Sequence, residues 1–189
     1  MNSKKRGRPA AEGTQLSAAA IVEAAKSLMK DEGKVPSIRK LASALNVDAM
    51  AIYHYFKNKD AMLEALAVSL IGDIYEPSGK SKWQTELTRL AQSYVELLHY
   101  YPGLLETLLS MKTFGPAMVF AERFETILNP LRLKKQSQQD ALDLFVDYLH
   151  GFALAMSCNK GSEAKLEVNA LKGPLKMYIK MLEGIHSAH

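Results

Sequence analysis

The side chains best suited to chemistry are cations and aromatics crowded into the first third of the chain. Positions 1–60 hold eleven Lys and Arg against six acids, whereas the other 129 hold thirteen against fourteen. The net charge of +4 is therefore an N-terminal property. A polyanion is the natural partner of such a segment. The plainer alternative is a solubilising tail, because Lys4, Lys5, Arg6 and Arg8 all precede Pro9. A second group follows: Asp48, Ala49, Met50, Ala51, Tyr53, His54, Tyr55, Lys57 and Lys59. Hydroxyls and cations suit phosphates, and small side chains suit base edges and thymine methyls. The run Arg6-Gly7-Arg8-Pro9 has the form of an arm that lays arginines into a narrow A·T-rich minor groove.

Nucleophilic and metal chemistry find no comparable concentration. There is no nucleophile elbow and no glycine-rich phosphate loop. His99 and His150 stand without partners at metal-ligand spacing. Cys158 reads as a small apolar filler, and as a lone cysteine it forms no internal disulfide, which fits a reducing compartment. No enzyme, cofactor or metal is expected. No uninterrupted apolar run reaches the ~18 residues of a membrane span. No apolar stretch follows the basic N-terminus, so a secretory signal is not expected either. The expectation is a cytoplasmic protein that does not bind membranes.

Almost every periodic segment reads as helix. Ile21, Ala24, Ala25, Leu28 and Met29 form a one-sided stripe, with Ser17 to cap its start and Gly33 to end it. Ile38, Leu41, Ala42 and Leu45 mark a short second helix opened by Pro36-Ser37, and Asp48 to Tyr55 a third. A fourth runs from Lys59 to Ile74. Glu76 to Ser81 is a polar Pro/Gly break, placed as a domain boundary. Ser81 and Gln84 suggest a capping box for a helix to Tyr101. Further helices are expected over 104–111, 117–128, Ser137 to about Cys158, and from Pro174 onward, with 159–173 largely a polar loop. No segment alternates with period two, so the class is all-α. Hydrophobic residues make up 48% of the chain, enough to fill a real core.

The second and third helices are the informative pair. Only Asn46-Val47 separates Leu45 from Asp48, so the helices must cross steeply, as in a helix-turn-helix. The second helix of such a unit enters the major groove. Ile52 and Phe56 belong to the core, but Tyr53, His54 and Tyr55 cannot all be buried in so short a helix. Clustered exposed aromatics point to recognition.

These residues carry a resemblance. Ser37-Ile38-Arg39-Lys40-Leu41-Ala42, then Asn46-Val47, then Ile52-Tyr53-His54-Tyr55-Phe56-Lys57-Asn58-Lys59-Asp60-Ala61-Met62-Leu63 resemble the DNA-binding domain of the tetracycline-repressor (TetR/AcrR) family. The resemblance implies that Arg39 reaches a base or phosphate and that Ser37, Tyr53, Tyr55 and Lys59 contact phosphates. Asn46 stands where the family has a turn glycine, but Asn also tolerates the left-handed conformation. Asp48 and Met50 depart from the usual residue types and leave base preference open.

Trp83-Gln84, Tyr101-Pro102-Gly103 and the ending from Leu175 to Gly184 fit the family's regulatory domain more loosely. The resemblance implies a homodimer in which the last two long helices pair with their mates. The 137–158 helix is independently too apolar all round for one neighbour, and Gly151, Ala153 and Ala155 permit close approach. The interface is assigned to Leu142, Tyr148, Gly151, Ala155, Leu175, Tyr178 and Leu182. Tyr94, Leu98, Tyr101, Met111, Phe114, Phe120, Phe124 and Phe152 are assigned as walls of a small-molecule pocket, each also readable as ordinary core. The histidines that hold the drug–magnesium complex in the tetracycline repressor are not matched, so tetracycline is not the expected effector.

The resulting expectation has three parts: a basic flexible arm (1–16), a three-helix helix-turn-helix domain (17–75), and a helical ligand-binding and dimerisation domain (76–189). The function expected is a repressor released from a palindromic double-stranded DNA operator by an unidentified small molecule. An activator on the same fold, or a sequence-tolerant DNA-binding protein, is the alternative.

Overall fold

The computed structural model describes residues 16–159 and 166–187. The described residues are all helical or connecting, with no strand. α1 (Ala18–Glu32) starts where the Ser17 hydroxyl accepts the Ala20 amide at 3.1 Å. It ends at Gly33, whose φ of 66° returns its N–H to the Met29 carbonyl. α2 (Ile38–Ala44) is capped by Ser37, and α3 (Ala49–Tyr53) by Asp48. Between them Asn46 has φ 53°, the left-handed conformation expected of this turn position. Ile21, Ala25, Met29, Leu41 and Ile52 lock the three helices together.

α4 (Lys59–Gly72) is capped by Asn58, which accepts the Ala61 amide at 2.8 Å. It packs on α1 on one side and on α7 (Gly115–Leu128) on the other, so it belongs to both halves of the chain. Lys26 of α1 reaches the end of α4 through an ion pair with Asp73 at 2.8 Å. α5 (Trp83–Tyr100) is the spine of the second half, with Leu87, Leu90, Ala91, Tyr94 and Val95 buried. α6 (Leu104–Ser110), α7, α8 (Lys135–Cys158) and α9 (Lys172–Ser187) complete it; α7, α8 and α9 all pack against α5. Short 3-10 turns cover Asn129–Leu131 and Val168–Leu171. The α5–α6 turn meets the α1–α2 turn closely: a Cβ on Gly103, at φ 85°, would stand 3.6 Å from the Lys34 Cα.

Two expected caps are corrected. α5 starts after Lys82 with no side-chain cap, because Gln84 donates instead to Glu183 at 3.0 Å and Ser81 accepts from Arg89. The connection before α5 is held by Glu86, which accepts the Ser78 amide at 3.2 Å and the Ser78 hydroxyl at 2.9 Å. α8 begins at Lys135 rather than Ser137. Its first turns are stitched by Gln136–Asp140 and Gln139–Asp143 pairs at 2.7 and 2.8 Å. By length and mean hydropathy α8 could also cross a membrane. Here its face of Ala141, Phe145, Leu149, Ala153 and Met156 is buried inside the chain.

Candidate nucleic-acid interface and effector cavity

The outer surface of the α2–α3 pair is built by what the inner surface consumes. Ile52 and Phe56 turn inward. Met50, 65% exposed, and Tyr53 are left on the opposite side, with His54, Lys57, Lys59 and Arg39 also exposed. Ala49 and Ala51 are half-buried on its flanks. Ser37 and Asp48 have structural work: Ser37 accepts the Lys40 amide at 3.3 Å, and Asp48 accepts the Met50 amide at 2.8 Å. Both caps lock the start of a helix. Tyr55 departs from its expected role. Its hydroxyl donates to the Leu16 carbonyl at 2.7 Å, joining the end of α3 to the start of α1, so its proton is not free for a phosphate. Arg6 and Arg8 lie outside the described residues.

A cavity of about 740 Å³ opens in the second half, within the ~300–1,000 Å³ range of small-molecule sites. Of the expected walls, Tyr94, Met111, Phe114 and Phe120 line it. Phe114 is 77% exposed, at the rim. Leu98 lines a different groove, of about 610 Å³, shared with Lys34 and Val35. Phe124 is fully buried against Phe145, and Phe152 packs on Tyr148. Tyr101 packs edge-on against Tyr100. Phe124, Phe152 and Tyr101 do not line the cavity, and Leu98 lines the other groove.

The polar side of the cavity comes from one face of α8: Gln139, Asp143, Asp147 and His150. His150, read from sequence as isolated, lies 2.7 Å from the Tyr94 hydroxyl through its Nε2. Burial pushes the Tyr94 phenol well above its ordinary value, so it keeps its proton. Burial lowers the His150 pKa against the opposing pull of Asp147, so the ring is held neutral. The Tyr94 hydroxyl and His150 Nε2 share one hydrogen bond, with the imidazole tautomer setting which of them donates. The signal for this face was the spacing 139, 143, 147 and 150, which is one side of a helix.

The assigned dimer residues divide. Leu175 and Leu182 are buried within the chain, and Tyr178 donates to the Ala141 carbonyl at 2.7 Å while stacking on Phe145. Leu142 lines the cavity. Burial removes Leu175 and Leu182 from any surface a second copy could cover, whereas Leu142 and Tyr178 are half-buried. Tyr148 is half-buried, and Gly151 and Ala155 are exposed. Leu144 and Leu154 of α8, and Met177 and Met181 of α9, are also exposed. Among the described residues, no group of three or more His, Cys, Asp or Glu could hold a metal ion.

The two halves are joined by Arg123 of α7. Its guanidinium donates to the carbonyls of Ile71, Gly72 and Ile74 at 3.2, 2.8 and 2.7 Å, capping the end of α4. The same helix contributes Pro116, Ala117, Met118, Phe120 and Ala121 to the cavity.

A helix-turn-helix head mounted on a hollow helical body is thus the class that this architecture defines. The chain belongs to the tetR family of bacterial regulatory proteins: that family's N-terminal description matches residues 21–66, and the tetracyclin repressor-like C-terminal domain matches residues 76–174. HTH-type transcriptional repressor DrrR1 of Streptomyces coeruleorubidus is 26% identical over 149 residues, covering 77% of this chain and 55% of that protein. Tetracycline repressor protein class D of Escherichia coli is 33% identical over 94 residues, 47% of this chain and 43% of that one. The chain spans about half the length of the curated relatives it matches. Streptomyces coelicolor ActR in complex with actinorhodin shares the fold at a TM-score of 0.79 and 18% identity, covering 93% of this chain and 99% of that one.

Proposed function

We propose that the chain is a homodimeric transcriptional repressor that binds a palindromic double-stranded DNA operator through α3 and is released by a small molecule in the α5–α8 cavity. The observation that carries the reading is the shape of α3. Ile52 anchors its inner side, while Met50, Tyr53 and His54 are exposed beside the cations Arg39, Lys57 and Lys59. A short helix whose outer side is large and unburied has a partner for that side, and cations around it favour DNA. DrrR1 is named a repressor, and ActR has been solved with a small molecule bound, which supports both halves of the proposal.

Dimerisation follows from α8 and α9. Leu144 and Leu154 are 52% and 56% exposed, and Met177 is 75% exposed. Exposed apolar side chains on these two helices suit a twofold interface, which in turn sets two copies of α3 at a fixed separation on DNA. Ligand control then requires only that the ligand bind one shape of the dimer better. A hundredfold preference is worth about 2.7 kcal/mol. The mechanical route is α7, which lines the cavity and clamps the end of α4 through Arg123, while α4 packs on α1.

The test separates base from phosphate contacts. Lys59→Ala should weaken binding to every sequence and lower the salt slope by about one unit. Met50 substitutions should alter which sequence is preferred. Unchanged affinity and salt slope in Lys59→Ala would remove α3 from the groove.

A further inference from the structure

We propose that the effector is an amphipathic organic cation: an aromatic or polycyclic body carrying a positive charge that sits against Asp143 and Asp147. The proposal rests on the reading of the cavity as an effector site and adds the chemical class of its ligand.

The charges around the cavity are one-sided. Among the described residues, its lining includes two carboxylates, Asp143 and Asp147, and no Lys or Arg. The local charge is therefore opposite in sign to the +4 of the whole chain. Asp143 and Asp147 stand one turn apart on α8, where two like charges face each other and repel. Neither forms an ion pair among the described residues. Asp143 has the Gln139 amide at 2.8 Å, a neutral donor. Among the described residues no side chain supplies the cationic partner that would relieve this repulsion, and the cavity holds room for one.

The opposite wall selects the rest of the ligand. Phe120 and Tyr94 pack with ring centroids 4.7 Å apart. Phe114 stands at the rim, and Met111 and Met118 line the same space. Aromatic faces attract cations as well as apolar rings, and methionine adapts to irregular aromatic shapes. An anionic ligand of the same shape would leave its hydration for a site with two fixed negative charges and only neutral donors, a cost with no compensating pair. The volume, about 740 Å³, accommodates several fused or linked rings.

Tetraphenylphosphonium and tetraphenylborate share size and shape and differ in the sign of their charge. Isothermal titration of each into the purified full-length chain reads the charge preference directly. A carboxylate about 6 Å from the ligand charge, in surroundings of effective dielectric about 40, shifts affinity roughly tenfold. The expected result is a phosphonium Kd at least ~10-fold below that of the borate. Asp143→Asn combined with Asp147→Asn, a change that preserves side-chain shape, should bring the two ions to within about threefold. Borate binding as tightly as phosphonium, or failure of both to bind, overturns the proposal on the native protein alone. A preference that survives the double substitution also overturns it. If the double variant instead dissociates into single chains with the preference intact, the two aspartates face a second copy and the proposal falls. Phosphonium that binds with the expected preference yet leaves operator affinity unchanged supports the ligand class and refutes the release reading. Borate that binds more tightly and releases DNA does the reverse.

Discussion

Arg123→Met tests how the cavity is tied to the DNA-binding head. The substitution keeps an unbranched apolar stem beside α4 and deletes the fork that caps its end. Three charge-assisted hydrogen bonds are lost, to Ile71, Gly72 and Ile74 at 3.2, 2.8 and 2.7 Å. A hydrogen bond to a charged group contributes roughly 1.5–3 kcal/mol net. The carbonyl of Gly72 is on an exposed residue, where water replaces the lost donor, and the bond to Ile71 is long. Only the bond to Ile74, a buried residue, should count nearly in full. Adding the loss of a cation at a helix C-terminus, about 0.3–1 kcal/mol, the expected destabilisation is about 2 kcal/mol. For a chain of this size that lowers Tm by roughly 4–8 °C. The assay is thermal unfolding at one fixed protein concentration, because dimerisation would make Tm depend on concentration. Arg123→Lys, which restores charge without the fork, should recover only part of the loss. The second readout is the ratio of operator affinities with and without effector. It should fall toward one in Arg123→Met, since α7 then no longer grips α4. A Tm within about 1 °C of the parent, together with an unchanged ratio, would refute the reasoning.

The other predictions concern separate parts of the chain. At Asn46, with φ 53°, Asn46→Gly should be neutral or slightly stabilising, whereas Asn46→Val should cost about 1–2 kcal/mol by chemical denaturation. At Glu86, burial alone would raise the carboxyl, but hydrogen bonds from the Ser78 hydroxyl and from the Ser78, Ser81 and Gly79 backbone outweigh it and lower the pKa below 4.5. The stability it contributes is therefore present above pH 4.5 and lost as pH falls through the lowered value, so Glu86→Gln should flatten that acid limb in Tm measured against pH. Leu144→Glu with Leu154→Glu should turn the proposed dimer into single chains by analytical ultracentrifugation while far-ultraviolet circular dichroism keeps its helical form, because both side chains are more than half exposed in the single chain.

The helix-turn-helix was legible because its signals are local. A cap at Ser17, a stop at Gly33, caps at Ser37 and Asp48, and a turn residue that tolerates positive φ at Asn46 each act within four residues of themselves. The cavity and the proposed dimer face depend on which side of a helix meets another, and α8 shows why that is harder. It is apolar on more than one side, so its composition points neither inward nor outward. Only the packed structure turns Phe145 and Leu149 to the core, Leu142 and Val146 to the cavity, and Leu144 and Leu154 to solvent. The long-range contacts of Tyr55 and Arg123 were missed for a related reason. Tyr55 bonds to Leu16, 39 residues away, and Arg123 to carbonyls about 50 residues away, and such contacts leave no periodicity to read. Leu175 and Leu182 misled because the spacing that buries a residue against its own chain is the spacing that would bury it against a partner.

The measurement closest to the central claim is selection of bound sequences from a random double-stranded DNA pool by the purified protein at physiological salt. The account predicts enrichment of a palindrome, with half-sites about one helical turn or more apart and a base preference that changes in Met50 variants. A pool that stays unenriched, or becomes merely A·T-rich without dyad symmetry, would contradict it and leave a sequence-tolerant DNA-binding protein in its place.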